Sequence, residues 1–163
     1  MKRVVFVLIA AVLLSTGCMK NDNGCSYTQS TTVAPASEQA VIEEYLTANN
    51  ITATKHSSGM YYEIVQVGTG GSPGLCSKVQ VNYAGKLTNG NTFDSNTNAV
   101  FNLYTLIDGW KKGIPMIQKN GRIKLYIPPS LGYGGTDIKD RDNNVIIPAK
   151  SMLIFDITLL NFQ

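Results

Sequence analysis

Two aromatic side chains and one carboxylate are predicted to share one face of a hairpin. Residues 79–84 alternate Val, Val and Tyr with Gln, Asn and Ala, which is the period-2 pattern of a half-buried strand. Asn89-Gly90 is a tight-turn signal, with both residues expected at positive φ, so the chain should reverse there. The returning strand would bring Phe93 and Asp94 back to about the level of Tyr83. This face would carry two aromatic rings and one carboxylate.

Neither a nucleophile–base pair nor a metal site is indicated near this hairpin. The single histidine, His56, lies just before the first predicted strand, and no CxxC or Cys/His cluster suggests a zinc site. Residues 68–74 begin like a phosphate loop, but the segment contains a proline and no helix follows, so we interpret it as a plain loop. Residues 140–144 begin like a calcium loop, but Val145 and Ser151 replace the required Gly and Glu. We therefore predict a solvated hairpin tip there.

Short antiparallel strands and one short helix are predicted around the hairpin. The other strands are predicted at 60–67, 100–104, 122–127 and 151–162. Asp108 is predicted to cap the helix, which should stop near Ile114 because Pro115 lacks an N–H and clashes with the carbonyl four residues back. One short helix among antiparallel strands indicates an α+β fold.

The segment before these strands divides into a linker and a second helix. Residues 21–37 are rich in Asn, Ser, Thr and Gly without apolar periodicity, which indicates a linker. Ser37 is the predicted N-cap, Glu38 suits the helix dipole, and Asn49-Asn50 should end the helix. Its predicted apolar stripe consists of Val41, Ile42, Tyr45 and Leu46. We expect this stripe to pack against the domain, the alternative being a helix that binds a partner.

A secretory signal peptide is predicted at the start of the sequence. Residues 4–14 are apolar but, at about eleven residues, fall short of the roughly 20 that span a bilayer. Residues 14–18 end in Gly-Cys and resemble a bacterial lipoprotein box, in which Cys18 is diacylated, although Ser15 departs from the usual aliphatic residue. A plain signal peptide cut near Gly17 is the alternative. We expect a protein lipid-anchored to a bacterial envelope membrane, with the outer membrane favoured and the exposed face left open.

Two cysteines remain once Cys18 is assigned to lipidation. Cys25 lies in the predicted tether and Cys76 lies in the loop before the strand at Lys78. An even number of cysteines in an oxidising compartment favours a Cys25–Cys76 disulfide, and two unpaired thiols are the alternative.

Composition is that of an ordinary globular chain. Of its 163 residues, 44% are hydrophobic and 15% are charged. Without Lys2 and Arg3, the 14 basic residues become 12 against 11 acidic ones, a mature charge of +1. No basic stripe with interleaved aromatics is present, so nucleic acid is not a predicted partner.

Two further segments, Leu106–Trp110 and Leu125–Gly134, complete a pattern with the hairpin. Over roughly residues 58–162 the sequence resembles the FK506-binding-protein family of peptidyl-prolyl cis-trans isomerases, here in a bacterial lipoprotein form. The resemblance implies an antiparallel sheet wrapped around one short helix, and the N-terminal helix predicted above would precede it. The expected organisation is a lipoprotein signal peptide at 1–17, a tether at 18–36, an N-terminal helix and connection at 37–57 and an isomerase domain at 58–163.

A shallow apolar pocket that holds an Xaa-Pro bond is implied by the same resemblance. Trp110 would form its floor, while the Tyr133 hydroxyl and the Ile107 backbone N–H would donate to substrate carbonyls. Implied catalytic residues are Tyr83, Asp94, Trp110 and Tyr133, and implied substrate-binding residues are Phe93, Phe101, Leu106, Ile107, Ile147 and Phe155. The alternative for any one of these aromatics is a purely structural place in the core.

The implied reaction needs no nucleophile, metal or cofactor. It lowers a rotation barrier of about 18–20 kcal/mol, which a dry pocket achieves by tolerating the twisted amide better than water does. Expected partners are proline-containing unfolded or nascent envelope proteins, with FK506-like macrolides as candidate ligands. Alternatives are a module that holds clients without turnover and a structural lipoprotein that docks through its front helix.

Two departures from the family pattern alter the predicted pocket rim. Residues 95–100, interpreted as a loop, contain no Arg to pair with Asp94, and the chain is shorter around Tyr104-Thr105. These differences leave macrolide affinity open. Client identity, the preferred residue before proline and the oligomeric state are also left open by the sequence.

Overall fold

The computed structural model describes residues 26–163. Within them, one antiparallel sheet has the strand order β1-β2-β5-β8-β3-β4, and β6 pairs with β7. The elements are α1 (Ala36–Ala48), β1 (Thr54–Lys55), β2 (Tyr61–Gln66), β3 (Lys78–Lys86), β4 (Thr92–Asn102), α2 (Asp108–Gly113), β5 (Arg122–Ile127), β6 (Ile138–Lys139), β7 (Val145–Ile147) and β8 (Leu153–Phe162). The predicted α+β class, a sheet around one short helix with an extra helix before it, is confirmed.

Helix α2 lies directly on the sheet because two glycines face β5. A Cβ atom at Gly109 would come within 2.5 Å of Ile127, and one at Gly113 within 2.6 Å of Leu125. Glycine destabilises a helix by roughly 0.5–1 kcal/mol relative to alanine. The two glycines therefore lower the intrinsic stability of α2 but let it pack closely on β5. Trp110 is thereby fixed between the two glycines, against the main core.

Helix α1 covers the opposite face of the sheet. Its Ile42 and Leu46 are buried against Tyr61, Tyr126 and Met152. Along β5 the flanking residues point to the main core while Tyr126 points to α1, as alternation along a strand requires.

The predicted apolar stripe of α1 packs against the sheet except at Val41. The predicted N-cap of the helix is wrong. Val41 is 53% exposed, so it does not belong to the buried stripe. Ser37 is not the N-cap, because the helix begins at Ala36 after Pro35, whose ring fixes a φ suited to that place. The predicted end is confirmed, with Asn49 as the C-cap.

The β3–β4 hairpin turns through a longer loop than predicted. The N–H of Leu87 donates to the Asn91 carbonyl (2.9 Å), and the N–H of Gly90 donates to the Leu87 carbonyl (3.0 Å). Gly90 has φ 86°, whereas Asn89 is not at positive φ, so that part of the prediction is wrong. The three-residue loop is a turn followed by a left-handed glycine, in which the Asn89 side chain accepts from the Asn91 N–H (3.0 Å).

Strand β4 replaces the predicted loop at 95–100. The strand runs without interruption from Thr92 to Asn102, with an irregular pairing near Asn98, which has φ 58°. The predicted strand at 100–104 is therefore wrong at its end, since residues 103–105 form a 3₁₀ turn. The Thr105 hydroxyl donates to the Asn102 carbonyl (2.7 Å), a side-chain bond that favours a turn over further pairing.

The predicted limits of α2 are confirmed at one end only. Asp108 is the first helical residue rather than the N-cap, and its carboxylate pairs with Lys111 (2.6 Å). The helix ends at Gly113, and Pro115 lies in a 3₁₀ turn. The solvated tip predicted at 140–144 joins β6 to β7.

The predicted signal peptide (1–17), Cys18 and Cys25 lie outside the described residues. Residues 26–35 of the predicted tether are described, and Ala34 is only 3% exposed against the domain. Cys76 is disulfide-bonded, and its pairing with Cys25 stays a prediction. Across residues 26–163, no helix is both long and apolar enough to cross a membrane.

Candidate active site

A pocket of about 150 Å³ opens above α2, between the β3–β4 hairpin and the segment after β5. It is lined by Tyr83, Phe93, Asp94, Phe101, Leu106, Ile107, Trp110, Tyr133 and Phe155. These are the residues predicted for the site, with one exception. Ile147, predicted as a substrate-binding residue, is 2% exposed on β7 and packs into the main core instead of lining the pocket.

Trp110 forms the floor, and three aromatic rings meet it edge-on. Its ring centroid lies 5.2 Å from those of Tyr83 and Phe155 and 6.0 Å from that of Phe101. The planes cross the indole at 81°, 90° and 88°, which is the favoured T-shaped arrangement of aromatic pairs. The walls therefore stand nearly perpendicular to the floor and bound a narrow apolar slot.

The indole N–H of Trp110 is buried at this floor. Among the described residues, its Nε1 atom has no hydrogen-bond partner. A buried unpaired donor costs about 1–3 kcal/mol, so its retention needs a reason beyond packing. Unpaired buried polar groups of this kind are commonly found at binding sites, which is consistent with a site above Trp110.

Gly85 allows two phenylalanine rings to lie together over β3. Phe93 and Phe155 meet edge to face, with centroids 5.5 Å apart. A Cβ atom at position 85 would come within 2.6 Å of Phe93 and 2.7 Å of Phe155. The sequence prediction missed this supporting residue, although a glycine inside a strand is the available signal for a close approach.

Tyr83 and Asp94 form the polar edge of the pocket. The Tyr83 hydroxyl donates to the Asp94 carboxylate at 2.6 Å. The two residues are not directly opposite each other, since Asp94 pairs with Gly85 and Tyr83 pairs with Asn96. The long phenol bridges that offset, and burial followed by the hydrogen bond to Asp94 raises the pKa of Tyr83.

Tyr133 stands at the mouth of the pocket, after the 3₁₀ turn at Pro129–Leu131. Its side chain is 39% exposed. Burial and then the negative charge of Asp94 raise the pKa of Tyr133, so its hydroxyl keeps its proton at neutral pH. It can therefore donate a hydrogen bond to a carbonyl that enters the pocket.

Ile107 connects the wall of the pocket to its floor. It precedes α2, and its carbonyl accepts the N–H groups of Trp110 (3.0 Å) and Lys111 (3.2 Å). A shift in this wall residue would therefore move the first turn of the helix that carries the indole.

The single histidine does not reach the pocket. His56 Nδ1 accepts the N–H of Ser58 (3.1 Å) and lies 2.8 Å from the Ser58 hydroxyl. Burial and then the charge of Lys112 lower the pKa of His56, which favours its neutral form. No histidine, cysteine or lysine is among the residues that line the pocket.

A larger groove of about 470 Å³ lies between α1 and the other face of the sheet. Charged residues line it, including Arg122 and Asp156, which pair with each other at 2.7 and 2.8 Å. These two charged groups are thus already partnered, and the groove lacks the aromatic enclosure of the smaller pocket. We therefore assign the candidate site to the smaller pocket.

Comparison with known proteins identifies the same family throughout. The family described as FKBP-type peptidyl-prolyl cis-trans isomerase matches residues 71–160. The FKBP-type peptidyl-prolyl cis-trans isomerase FkpA of Buchnera aphidicola subsp. Schizaphis graminum is 41% identical over 115 residues, covering 68% of this chain and 43% of the relative. The FkpA of Escherichia coli K12 is 38% identical over 111 residues, covering 66% of this chain and 39% of the relative.

The fold agrees with that assignment. The crystal structure of FkpA from Escherichia coli superposes with a TM-score of 0.66 at 34% identity, covering 78% of this chain and 60% of that one. The chain spans less than half the length of these two sequence relatives.

Proposed function

Because the chain belongs to the FKBP-type peptidyl-prolyl cis-trans isomerase family, we propose that it catalyses rotation about Xaa-Pro peptide bonds. The observation that carries the proposal is the small aromatic slot above Trp110, with one carboxylate at its edge. A slot of about 150 Å³ suits a prolyl ring and the amide beside it, and little more.

The geometry explains how rotation could be accelerated without a nucleophile. The amide resists rotation because resonance must be broken, at a cost of about 18–20 kcal/mol. The twisted amide has a less polar carbonyl, so an apolar slot disfavours it less than it disfavours the planar form. Since only interactions that are stronger in the transition state raise kcat, this differential desolvation is the source of catalysis.

Hydrogen-bond donors at the pocket mouth would hold the peptide on either side of the rotating bond. The protonated Tyr133 hydroxyl is one donor, and the backbone N–H of Ile107 is the second. The Tyr83 hydroxyl already donates to Asp94, so the carboxylate is held at a fixed place beside the amide.

A protease-coupled assay with proline peptides tests the proposal. The purified mature protein should accelerate cis-to-trans conversion in a saturable way, and an FK506-like macrolide should compete for the slot. Since no histidine, cysteine or lysine lines the pocket and both tyrosines have raised pKa values, kcat/KM should be nearly flat from about pH 6 to 9. A folded protein that binds these peptides without accelerating conversion would instead be a client-holding module.

We also propose that the protein acts at a bacterial envelope membrane, anchored through lipidated Cys18. The support is the apolar run at 4–14 followed by a lipoprotein-type box ending at Cys18. Proline-containing envelope proteins would then be its clients, and the outer membrane is the favoured location.

Fractionation of Cys18→Ser cells tests the anchor. The variant should leave the membrane fraction or accumulate as a precursor, whereas Thr16→Ser, which keeps the cysteine, should behave as wild type. Mass spectrometry of the wild-type mature terminus should show a diacylated cysteine, and an unmodified terminus would refute the proposal.

A Cys25–Cys76 bridge is a third proposal. It is supported by the disulfide bond of Cys76 and by the assignment of Cys18 to lipidation. Closing a loop of about 50 residues would stabilise the fold by about 4 kcal/mol in the entropic model. Non-reduced peptide mapping should recover one linked peptide containing both residues, and any other pairing of Cys76 would exclude it.

A further inference from the structure

A segment before α1 packs beside the pocket without lining it. We call residues 27–34 the strap, and they lie outside the matched family region of 71–160. The Tyr27 ring stacks on Tyr104 with centroids 3.9 Å apart and planes 10° apart. At the other end, the N–H of Ala34 donates to the Ser58 carbonyl at 2.9 Å.

Between these ends the strap is bonded to α2. The Gln29 side-chain amide donates to the Lys111 carbonyl at 3.3 Å. Lys112 is 8% exposed, and its ammonium donates to the Ser30 carbonyl. A buried ammonium is costly unless it is paired, so the strap supplies a partner that α2 needs.

Asp108 begins the same helix. Burial raises the pKa of Asp108, but its interactions with Lys111 and Ser30 outweigh burial and hold that pKa below its usual value. The hydrogen bonds that join the strap to α2 are those at Lys111 and Lys112, in the second half of the helix.

These contacts fall on the two elements that form one side of the pocket. Tyr104 lies in the 3₁₀ turn directly before the wall residues Leu106 and Ile107, and α2 carries the floor residue Trp110. The turn has three residues and α2 has six. Helical segments this short do not hold their shape alone, so neighbouring contacts must position them.

We propose that the strap is a positioning element for the pocket. Tyr27 acts through Tyr104 on the wall, and the Ser30 carbonyl acts through Lys112 on the floor. The inference rests on the proposed isomerase function, because it assigns the strap to the same pocket. It adds that this activity depends on a segment outside the matched family region.

The test uses the full-length protein with Tyr27→Ala, Tyr104→Ala and the double variant. Because the stacked pair is lost, each single change should lower kcat/KM by about two- to tenfold. The double variant should be no worse than either single one, because both changes remove the same contact. Tyr27→Phe, which keeps the ring, should restore wild-type values, and Val33→Ala is the matched control at an exposed strap position (59%).

A second readout does not depend on turnover. Trp110 is the only tryptophan, so intrinsic fluorescence reports on the pocket floor. Tyr27→Ala and Lys112→Met should both change Trp110 emission while far-ultraviolet circular dichroism stays native. If wild type shows no isomerase activity, the proposed function fails while the emission change still supports the strap. Unchanged emission together with unchanged kcat/KM in both variants would overturn the inference.

Discussion

The two faces of the sheet carry different kinds of interior. Under α1, Ile42 and Leu46 fill the space over Tyr61 and Tyr126, and polar groups at the edge are paired. The Tyr61 hydroxyl donates to Glu43, which also pairs with Lys55 at 3.1 Å, and the Tyr126 hydroxyl donates to Glu63.

Under α2 the interior is left open at one end. Aromatic rings meet Trp110 edge-on, and the indole N–H is unpaired within the described part of the chain. The difference teaches that packing under α1 serves stability, while the other face gives up some hydrogen bonding to keep a binding slot. Variants on each face should therefore separate stability from activity.

Trp110→Ala should have the largest effect, because it removes a 4% exposed ring that belongs both to the core and to the pocket. We expect a loss of about 3–5 kcal/mol in the free energy of unfolding, and nearly complete loss of kcat/KM. Denaturant titration and the peptide assay measure the two effects. Trp110→Phe, which keeps an apolar floor, should retain part of the stability and part of the activity. Full activity in Trp110→Ala would contradict the assignment of the binding slot to the α2 face.

Ile42→Ala should cost stability without costing activity. The fully buried side chain leaves a cavity under α1, so the free energy of unfolding should fall by about 2–5 kcal/mol. At temperatures well below the melting transition, kcat/KM should remain that of wild type. Val41→Ala, on the exposed side of the same helix, should change stability by no more than about 0.5 kcal/mol. A fall in kcat/KM for Ile42→Ala alone would show that the two faces are coupled.

Tyr83→Phe should lower activity while leaving stability nearly unchanged, and both changes should be smaller than the stability loss of Ile42→Ala. The lost hydrogen bond to Asp94 is at the exposed mouth, so stability should change by about 1 kcal/mol or less. We expect kcat/KM to fall several-fold, because the carboxylate is no longer held beside the amide. Asp94→Asn should give a similar loss, and the double variant should add little. Strictly additive losses would show that the two residues act separately.

His56→Asn should have the smallest effect and should appear only as a change in pH dependence. Burial and the charge of Lys112 lower the pKa of His56, so the folded state binds a proton less readily than the unfolded state does. The stability that this histidine contributes is present above about pH 6.5 and is lost as the pH falls. Asparagine keeps an acceptor for the Ser58 N–H but does not titrate. Unfolding free energies of the variant should therefore decline less than those of wild type between pH 7 and 5, while kcat/KM at pH 7 stays unchanged.

Much of the fold and pocket could be predicted because alternation and turn residues are local signals. The strands at β5 and β8 follow from alternating apolar residues, and Pro115 marks where α2 must stop. The predicted lining came from a resemblance carried by ordered motifs, which the structure gathers into one slot except at Ile147.

Several of the errors share a cause, since they depended on contacts between distant segments. Polar residues at 95–100 lack a strand signal, yet they pair with β3 along an edge of the sheet. Val41 fits the apolar periodicity of its helix, but that periodicity does not show which of these side chains the sheet covers. Residues 27–34 contain no periodic pattern at all, and only the positions of Tyr104 and Lys112 show what they bind.

The sequence by itself determined where most strands and the short central helix lie along the chain, because these depend on neighbouring residues. The side chains of the pocket came from the family resemblance. Tertiary structure alone decided which aromatic rings meet Trp110 edge-on. It also decided that Ile147, one of the predicted set, is buried in the core. It likewise decided that Tyr27, far upstream, would stack on Tyr104. Those outcomes depend on distances between residues separated by tens of positions, which packing sets and local pattern does not encode.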